Sequence, residues 1–250
     1  MKSDNNYPRE AFKYLFQVES KHFWFIGRNK IIENCVRRVY RSLHGKLFLE
    51  VGCGTGFVLA ALERMGFVVT GLDMHAVALT FAAKRTKARL ICADMRDYHA
   101  YGRFDIVGAF DVVEHVVNDG AFIAQCAKFL KPHGALMITV PAGMEVWTDF
   151  DRFSGHKRRY SKATLQLLLE SHGFNVTFIQ YFGFFQYLPH LIAKKYVSSD
   201  VPGFLHPPVY VINMILQWSM IIESKLMYYL SFPFGTSLIA VAKKRNRHER

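Results

Sequence analysis

The stretch from Lys46 to Gly56 constrains the fold most. A short apolar run, Leu47-Phe48-Leu49, leads into Glu50-Val51-Gly52-Cys53-Gly54-Thr55-Gly56, and a helix-like run from Phe57 to Met65 follows directly. Strand, glycine turn and helix in this order present a ligand site at the carboxyl end of the first strand of an open α/β sheet. Glycine lets the backbone pass close to a ligand and adopt turns closed to other residues. The helix start beyond offers free N–H groups to a carboxylate or phosphate. A turn of this kind also occurs as plain strand–helix packing, so the rest of the chain has to decide.

The spacing discriminates between cofactors. A dinucleotide fingerprint requires glycine at position 57 in the pattern G-x-G-x-x-G, and the chain has Phe57 there. Gly52, Gly54 and Gly56 instead give G-x-G-x-G, with Glu50 two residues ahead. This resembles motif I of the class I S-adenosylmethionine (SAM) methyltransferases. Beyond it the chain alternates regularly. Strands are expected at Lys46–Val51, Phe67–Leu72, Arg89–Cys92, Phe104–Phe110 and Ala135–Val140, with helices at Phe57–Met65, Ala76–Lys84 and Gly120–Leu130. That rhythm argues a mostly parallel sheet with helices on both faces. Helix Lys162–Ser171, with Ser161 as its N-cap, and strand Phe174–Tyr181 follow, and Ser237–Ala242 is the last strand. The expected fold is a Rossmann-like, seven-stranded α/β sheet with an apolar, mainly helical insertion before the last strand. Its divisions are an N-terminal helical lid (1–45), the core (46–182), the insertion (183–235), and the last strand with a basic tail (236–250).

The strand ends carry the chemistry. Asp73 closes the second strand, where an acid accepts ribose hydroxyls; its alternative is an N-cap of the next helix. The resemblance implies that Asp94 receives the adenine amino group and that Met95 covers the ring. Phe110-Asp111-Val112-Val113-Glu114-His115 resembles the D-V-x-E-H segment of the branch related to quinone-pathway methyltransferases. Ahead of motif I, His22-Phe23-Trp24-Phe25-Ile26-Gly27-Arg28 resembles a segment of a bacterial branch of the same family. Arg28 there suits a carboxylate through its forked donors, and Trp24 suits a sulfonium cation; packing onto the sheet is the alternative for both. The cofactor set so implied is Trp24, Arg28, Glu50, Gly52, Cys53, Gly54, Gly56, Asp73, Met74, Asp94, Met95, Phe110 and Asp111.

Gly155-His156-Lys157-Arg158-Arg159-Tyr160 is similar to the G-H-x-R-R-Y string of that bacterial branch. It is expected to face the acceptor, with Arg158 and Arg159 as substrate contacts. A hydroxyl acceptor needs a base. His115 and His156 are the candidates because imidazole titrates near neutral pH, and Tyr160 is the candidate for orienting the acceptor. Structural hydrogen bonding is the competing role of each histidine. A metal at Asp111, Glu114 and His115 is the minor alternative, and no metal is expected.

Composition bears on the partners. The chain of 250 residues has a net charge of +12 and is 51% hydrophobic, so an anionic partner and an apolar one both come into view. A nucleic-acid methyltransferase is the rival enzyme. The Asn/Asp-Pro-Pro-Tyr/Phe tetrapeptide of amino-directed enzymes is absent from the sequence, which disfavours nucleic acid. A SAM-binding, membrane-associated protein without turnover is the rival of another class. The four scattered cysteines form no C-x-x-C, so neither zinc nor a disulfide framework is expected. The polar Met1–Glu10 is no signal peptide, and a cytoplasmic location, including the inner membrane face, follows.

Between Phe182 and Thr236 the chain is dense in Phe, Tyr, Leu, Ile and Met and is cut by Pro189, Pro202, Pro207 and Pro208. Its main helix is expected at Val209–Leu230, with Asn213, Gln217 and Ser224 as a narrow polar line. The uncharged part is too short for a bilayer span of ~18–20 residues. Three roles suit it: peripheral membrane contact, a cap walling a greasy acceptor pocket at the carboxyl end of the sheet, or a homodimer interface. Lys243-Lys244-Arg245-Asn246-Arg247 supports the first. The reaction that the resemblance implies is methyl transfer from SAM to an O, N or C nucleophile of a small or lipid-linked acceptor, leaving S-adenosylhomocysteine.

Overall fold

The computed structural model describes residues 9–40, 42–196 and 207–245. Met1 to Pro8, Pro202, Asn246 and Arg247, which entered the expectations above, lie outside the described residues.

Seven strands form one sheet in the order β3-β2-β1-β4-β5-β7-β6. They are β1 (Leu47–Val51), β2 (Val68–Asp73), β3 (Arg89–Cys92), β4 (Phe104–Phe110), β5 (Leu130–Pro141), β6 (Phe174–Phe182) and β7 (Ser237–Lys244). β7 runs antiparallel to both β5 and β6, and the other pairings are parallel. The order reverses beside β1, which places a crevice at the carboxyl ends of β1 and β4.

Strand alternation sorts the core into two layers. Leu49 and Val51 of β1, Val107 and Ala109 of β4, and Leu136, Ile138 and Val140 of β5 join one cluster. Phe48, Ile106, Phe110 and Met137 join the other. Helices α5 (Asp119–Phe129) and α7 (Lys162–Ser171) cover the first face through Phe122, Ile123, Leu165 and Leu169. Helices α2 (Phe23–Val39) and α3 (Phe57–Arg64) cover the second through Ile31, Ile32, Leu59 and Leu62. Apolar strands buried on both sides by helices are what a mostly parallel sheet requires.

Helices α1 (Arg9–Val18) and α4 (Ala76–Ala82) pack together beside the glycine turn. His22 caps α2 by accepting from the Trp24 N–H at 3.1 Å. The aromatic string therefore opens α2. α6 (Asp149–Phe153) is a short helix after β5, closed by a capping box of Thr148 and Asp151.

Among the described residues, the insertion carries α8 (Phe184–Tyr196) and α9 (Tyr210–Leu226). Asn213 and Ser224 are buried, not solvent-facing. Asn213 accepts from the Phe23 N–H at 2.9 Å and donates to the Lys21 carbonyl at 2.8 Å. Polar groups taken from water need partners, and the start of α2 supplies them. Met220 sits against Gly27, where a Cβ would come within 2.6 Å. α9 thus braces α2 on one face of the sheet, against the end of α2 that carries Arg28. α8 is the part that reaches the carboxyl-end loops, through Tyr187 Oη on Glu145 at 2.9 Å.

Candidate active site

β1 runs into Gly52, Gly54 and Gly56, with φ values of 73°, 51° and 77°. These left-handed angles strain any residue with a Cβ. Gly52 donates to the Leu72 carbonyl at 2.7 Å and Gly54 to Asp73 Oδ2 at 2.8 Å, which pins the turn against the end of β2. A Cβ at Gly52 would strike Val112 at 2.6 Å, and one at Gly56 would strike Ala82 at 2.9 Å. At Gly54 nothing lies within 4 Å, so that position borders open space beside the first turn of α3.

Asp73 is buried, and its other oxygen accepts from the His75 N–H at 2.8 Å. The His75 ring lies against Phe12 of α1, so the N-terminal helix covers this end of the crevice. Glu19, just past α1, binds Thr55 Oγ1 of the glycine turn and Arg85. Met74 is exposed at the rim.

Arg28 projects from α2 to form an ion pair with Asp111, whose other oxygen accepts from Thr139 Oγ1 at 2.8 Å. Asp111 has φ of 56°, a conformation rare outside glycine and asparagine, held here by these contacts. Glu50 is buried, and its Oε2 has no protein partner; Arg28 Nε is likewise buried and unpaired. Burial pushes the Glu50 carboxyl well above the usual carboxylate range, and Arg28 opposes that shift. An open space beside Gly54, a carboxylate at the end of β2, and unpaired polar atoms on Glu50 and Arg28 fit a ligand that carries a diol at one end and an amino acid at the other.

Three of the expected cofactor contacts lie elsewhere. Trp24 stacks on Phe182 with ring centroids 5.7 Å apart, at the end of β6. Phe110 turns into the sheet-face core and stacks on Phe48. The Cys53 side chain packs toward Gly71, and burial pushes its thiol up. Alternation explains Phe110 and Cys53, whose strand or tight turn borders the crevice while their side chains enter the core; Trp24 stands on α2 and points along the helix face that meets β6. Asp94 stands at the end of β3, but Arg96 occupies both of its oxygens, at 2.9 and 2.6 Å. Next to it, the Met95 carbonyl accepts from Gln125 at 3.2 Å.

A second cluster forms where the loops after β4 and β5 meet. His156 Nδ1 lies 2.8 Å from Asp151 Oδ1, and its Nε2 lies 3.9 Å from Glu114 Oε1. The His115 and His156 rings meet edge-on at 4.7 Å. Donor atoms of Glu114, His115 and His156 all lie within 4.8 Å of one another. Asp111, committed to Arg28, is not among them. Glu114 is fully buried and neither of its oxygens has a partner. Burial, then the Asp111 charge, push its carboxyl well above the usual range. Burial, then His156, bring His115 down to about 4, so its ring is neutral at neutral pH. Burial would raise Asp151, but His156 and Arg159 hold its carboxyl far below the usual range.

The side chains of the basic loop divide between two carboxylates, Asp151 and Asp119. Arg159 is buried, with Nε and Nη2 on the two Asp151 oxygens at 2.9 Å and Nη1 on the Ala142 carbonyl at 3.0 Å. It ties the loop to α6 and to the end of β5. Tyr160 is buried and donates to Asp119 at 2.9 Å; burial, then Asp119, push its phenol up. Arg158 pairs with the same Asp119 and donates to the Val117 carbonyl at 2.7 Å. The His156 ring meets both Glu114 and His115, and the Lys157 N–H donates to the Glu114 carbonyl at 2.7 Å. Sequence reasoning missed Asp151, although Thr148-x-x-Asp151 is a capping-box spacing. It also missed His75, Thr139 and Glu19, for which the sequence holds no signal.

Residues 49–138 match a family model described as a methyltransferase domain. Similar curated proteins include ubiquinone biosynthesis O-methyltransferases. That of Rhodopseudomonas palustris (strain BisA53) is 34% identical over 39% of this chain and 40% of the relative. That of Rhizobium johnstonii is 33% identical over 52% of this chain and 56% of the relative. The match thus spans about half the length of these relatives. Among solved structures, Haemonchus contortus phosphoethanolamine N-methyltransferase 2 in complex with SAM aligns with a TM-score of 0.64 at 18% identity, over 97% of this chain and 59% of that one. A putative methyltransferase bound to the Haloferax volcanii Trm112 activator aligns with a TM-score of 0.63 at 15% identity, over 95% of both chains. At these identities the likeness is one of fold.

Proposed function

We propose, from the premise that residues 49–138 form a methyltransferase domain of the class I SAM-dependent family, that this chain methylates a small, apolar or lipid-linked acceptor. The observation that carries the reading is the left-handed glycine turn whose Gly54 N–H is held by Asp73 and whose Gly54 borders open space. When bound, SAM supplies an electrophilic methyl group on a sulfonium. Asp73 accepts from the ribose hydroxyls, Gly54 gives the backbone its close approach, and Arg28, steadied by Asp111, faces the carboxylate. Helix α1 shields the ribose end from water through Phe12 and His75.

On the acceptor side, Asp151 keeps the proton on His156 Nδ1 and leaves Nε2 to take a proton from an acceptor hydroxyl. His115 stays neutral and cannot repel it. The similarity to ubiquinone biosynthesis O-methyltransferases favours oxygen among the O, N and C nucleophiles. A second reading gives Glu114, His115 and His156 a divalent cation, favoured by the clustering of their donor atoms and the unpaired Glu114 oxygens. The insertion is read as meeting a membrane face or a second copy. Release of S-adenosylhomocysteine from SAM tests the reading, with lipid extracts, soluble metabolites and nucleic acid as separate acceptors. Turnover with lipid extract supports it; turnover confined to DNA or RNA contradicts it.

A further inference from the structure

We propose that the outward face of α9 docks on an anionic lipid bilayer; this rests on the peripheral-contact part of the reading above and commits it to one partner. The helix spends its polar side chains inward. Asn213 caps the start of α2, Ser224 accepts from Asn34 at 3.0 Å, and Glu223 accepts from the Phe184 N–H at 3.0 Å at the start of α8. Glu223 is the only acid of α9, and it is fully buried. What remains outside is mostly apolar, with Gln217 half-buried and Lys225 exposed near the helix end. Val211, Ile215, Trp218 and Ile222 follow one another at helical spacing with exposures of 65%, 62%, 57% and 50%. Together with Met214 they line a shallow apolar depression.

Burial of such a face is worth ~25 cal/mol per Å², and contiguous apolar surface of this kind marks a contact site. Charge selects the occupant. Lys21 is exposed beside Asn213, and Lys225 is exposed at the far end of the helix. Arg37 and Arg38 are exposed at the end of α2, with the Arg38 guanidinium 3.8 Å above the Tyr228 ring. A two-fold pairing of this face would set basic rims against each other. An anionic headgroup layer supplies the opposite charge, consistent with the net +12 of the chain. Trp218 and the exposed Tyr210 and Tyr229 suit the headgroup level, where one side of the ring is wet.

The geometry is of a helix lying on a bilayer. Among the described residues, no helix is long and apolar enough to cross one. The 17 residues of α9 span about 25 Å, short of the ~30 Å hydrocarbon core. α8 joins the face to the strand-end loops: Gln186 donates to Ser219 of α9 at 2.8 Å, while Tyr187 bonds Glu145 at 2.9 Å in the loop after β5. A docked α9 therefore holds the loops that carry His156 near the lipid surface, as a lipid-linked acceptor needs.

Co-sedimentation of the full chain with vesicles tests this, using phosphatidylcholine alone and phosphatidylcholine mixed with phosphatidylglycerol. Binding is expected to the mixed vesicles, to weaken as salt rises, and to fall at least about tenfold in Ile215→Glu/Trp218→Glu. Both positions are exposed, so melting and SAM titration should match the parent. If the double variant does not fold, Val211→Ser/Ile215→Ser serves with a smaller expected loss. A parent chain that ignores both vesicles overturns the proposal, as does vesicle binding that the variants leave unchanged. So does a dimer in light scattering that the variants convert to monomer. SAM titration of the same protein reports on the methyltransferase reading independently.

Discussion

Asp151 Oδ1 lies 2.8 Å from His156 Nδ1, and this contact decides which ring nitrogen faces Glu114 and His115. An ionised carboxylate only accepts, so the proton sits on Nδ1 and the Nε2 lone pair turns toward the cluster. His156→Gln preserves a donor to Asp151 and removes the base. Turnover is expected to fall ~100-fold or more, with SAM affinity unchanged by calorimetric titration. Equal turnover in the variant would take His156 out of proton transfer.

Chelation separates the two readings of the same cluster. If His156 acts as a metal-free base, dialysis against a chelator leaves turnover intact. Loss of turnover that a divalent cation restores would instead make Glu114, His115 and His156 ligands.

Arg159→Ala is expected to destabilise the fold by about 3–5 kcal/mol, because it leaves the buried Asp151 charge uncompensated. Arg158, at a partly exposed ion pair, should cost no more than ~1 kcal/mol on the same change. Urea unfolding measures both. A stable Arg159→Ala protein with only a raised KM for the acceptor would restore Arg159 to substrate contact.

Two buried groups give opposing pH dependences. Burial raises Glu223 from its ordinary 4.5 to about 7, so between these values the folded chain binds more protons and stability falls as pH rises. His115 is brought from 6.5 to about 4, so there the unfolded chain binds more protons and stability rises with pH. Across the overlap, from 4.5 to 6.5, the two offset each other. Glu223→Gln should therefore make stability climb more steeply with pH over that window, read from urea midpoints at its two ends. A slope equal to that of the parent would show that Glu223 keeps its ordinary titration in the fold.

β1, β2, β4 and β5 were legible because they are buried over most of their length and run into glycine, acid or proline. Gly52, Gly54 and Gly56 needed their spacing alone, since only glycine tolerates that run of left-handed angles. The pairing inside the basic loop was not legible, because sequence records charge and not partners: Arg159 and Tyr160 look free until Asp151 and Asp119, contributed by other elements, close on them. The apolar character of the insertion was legible, and so was the polar line of Asn213, Gln217 and Ser224, but the burial of Asn213 and Ser224 was not. Their partners, Lys21, Phe23 and Asn34, are some 190 residues away, and no periodicity carries that distance.

Calorimetric titration of SAM into the parent chain, Asp73→Ala and Gly54→Val tests the central claim most directly. The account predicts saturable binding by the parent and a loss of about 1–3 kcal/mol in Asp73→Ala, where hydroxyls lose their buried acceptor. It predicts no binding by Gly54→Val, whose side chain fills the open space beside the turn. Equal affinity in the parent and Asp73→Ala, or SAM binding by Gly54→Val, would contradict it.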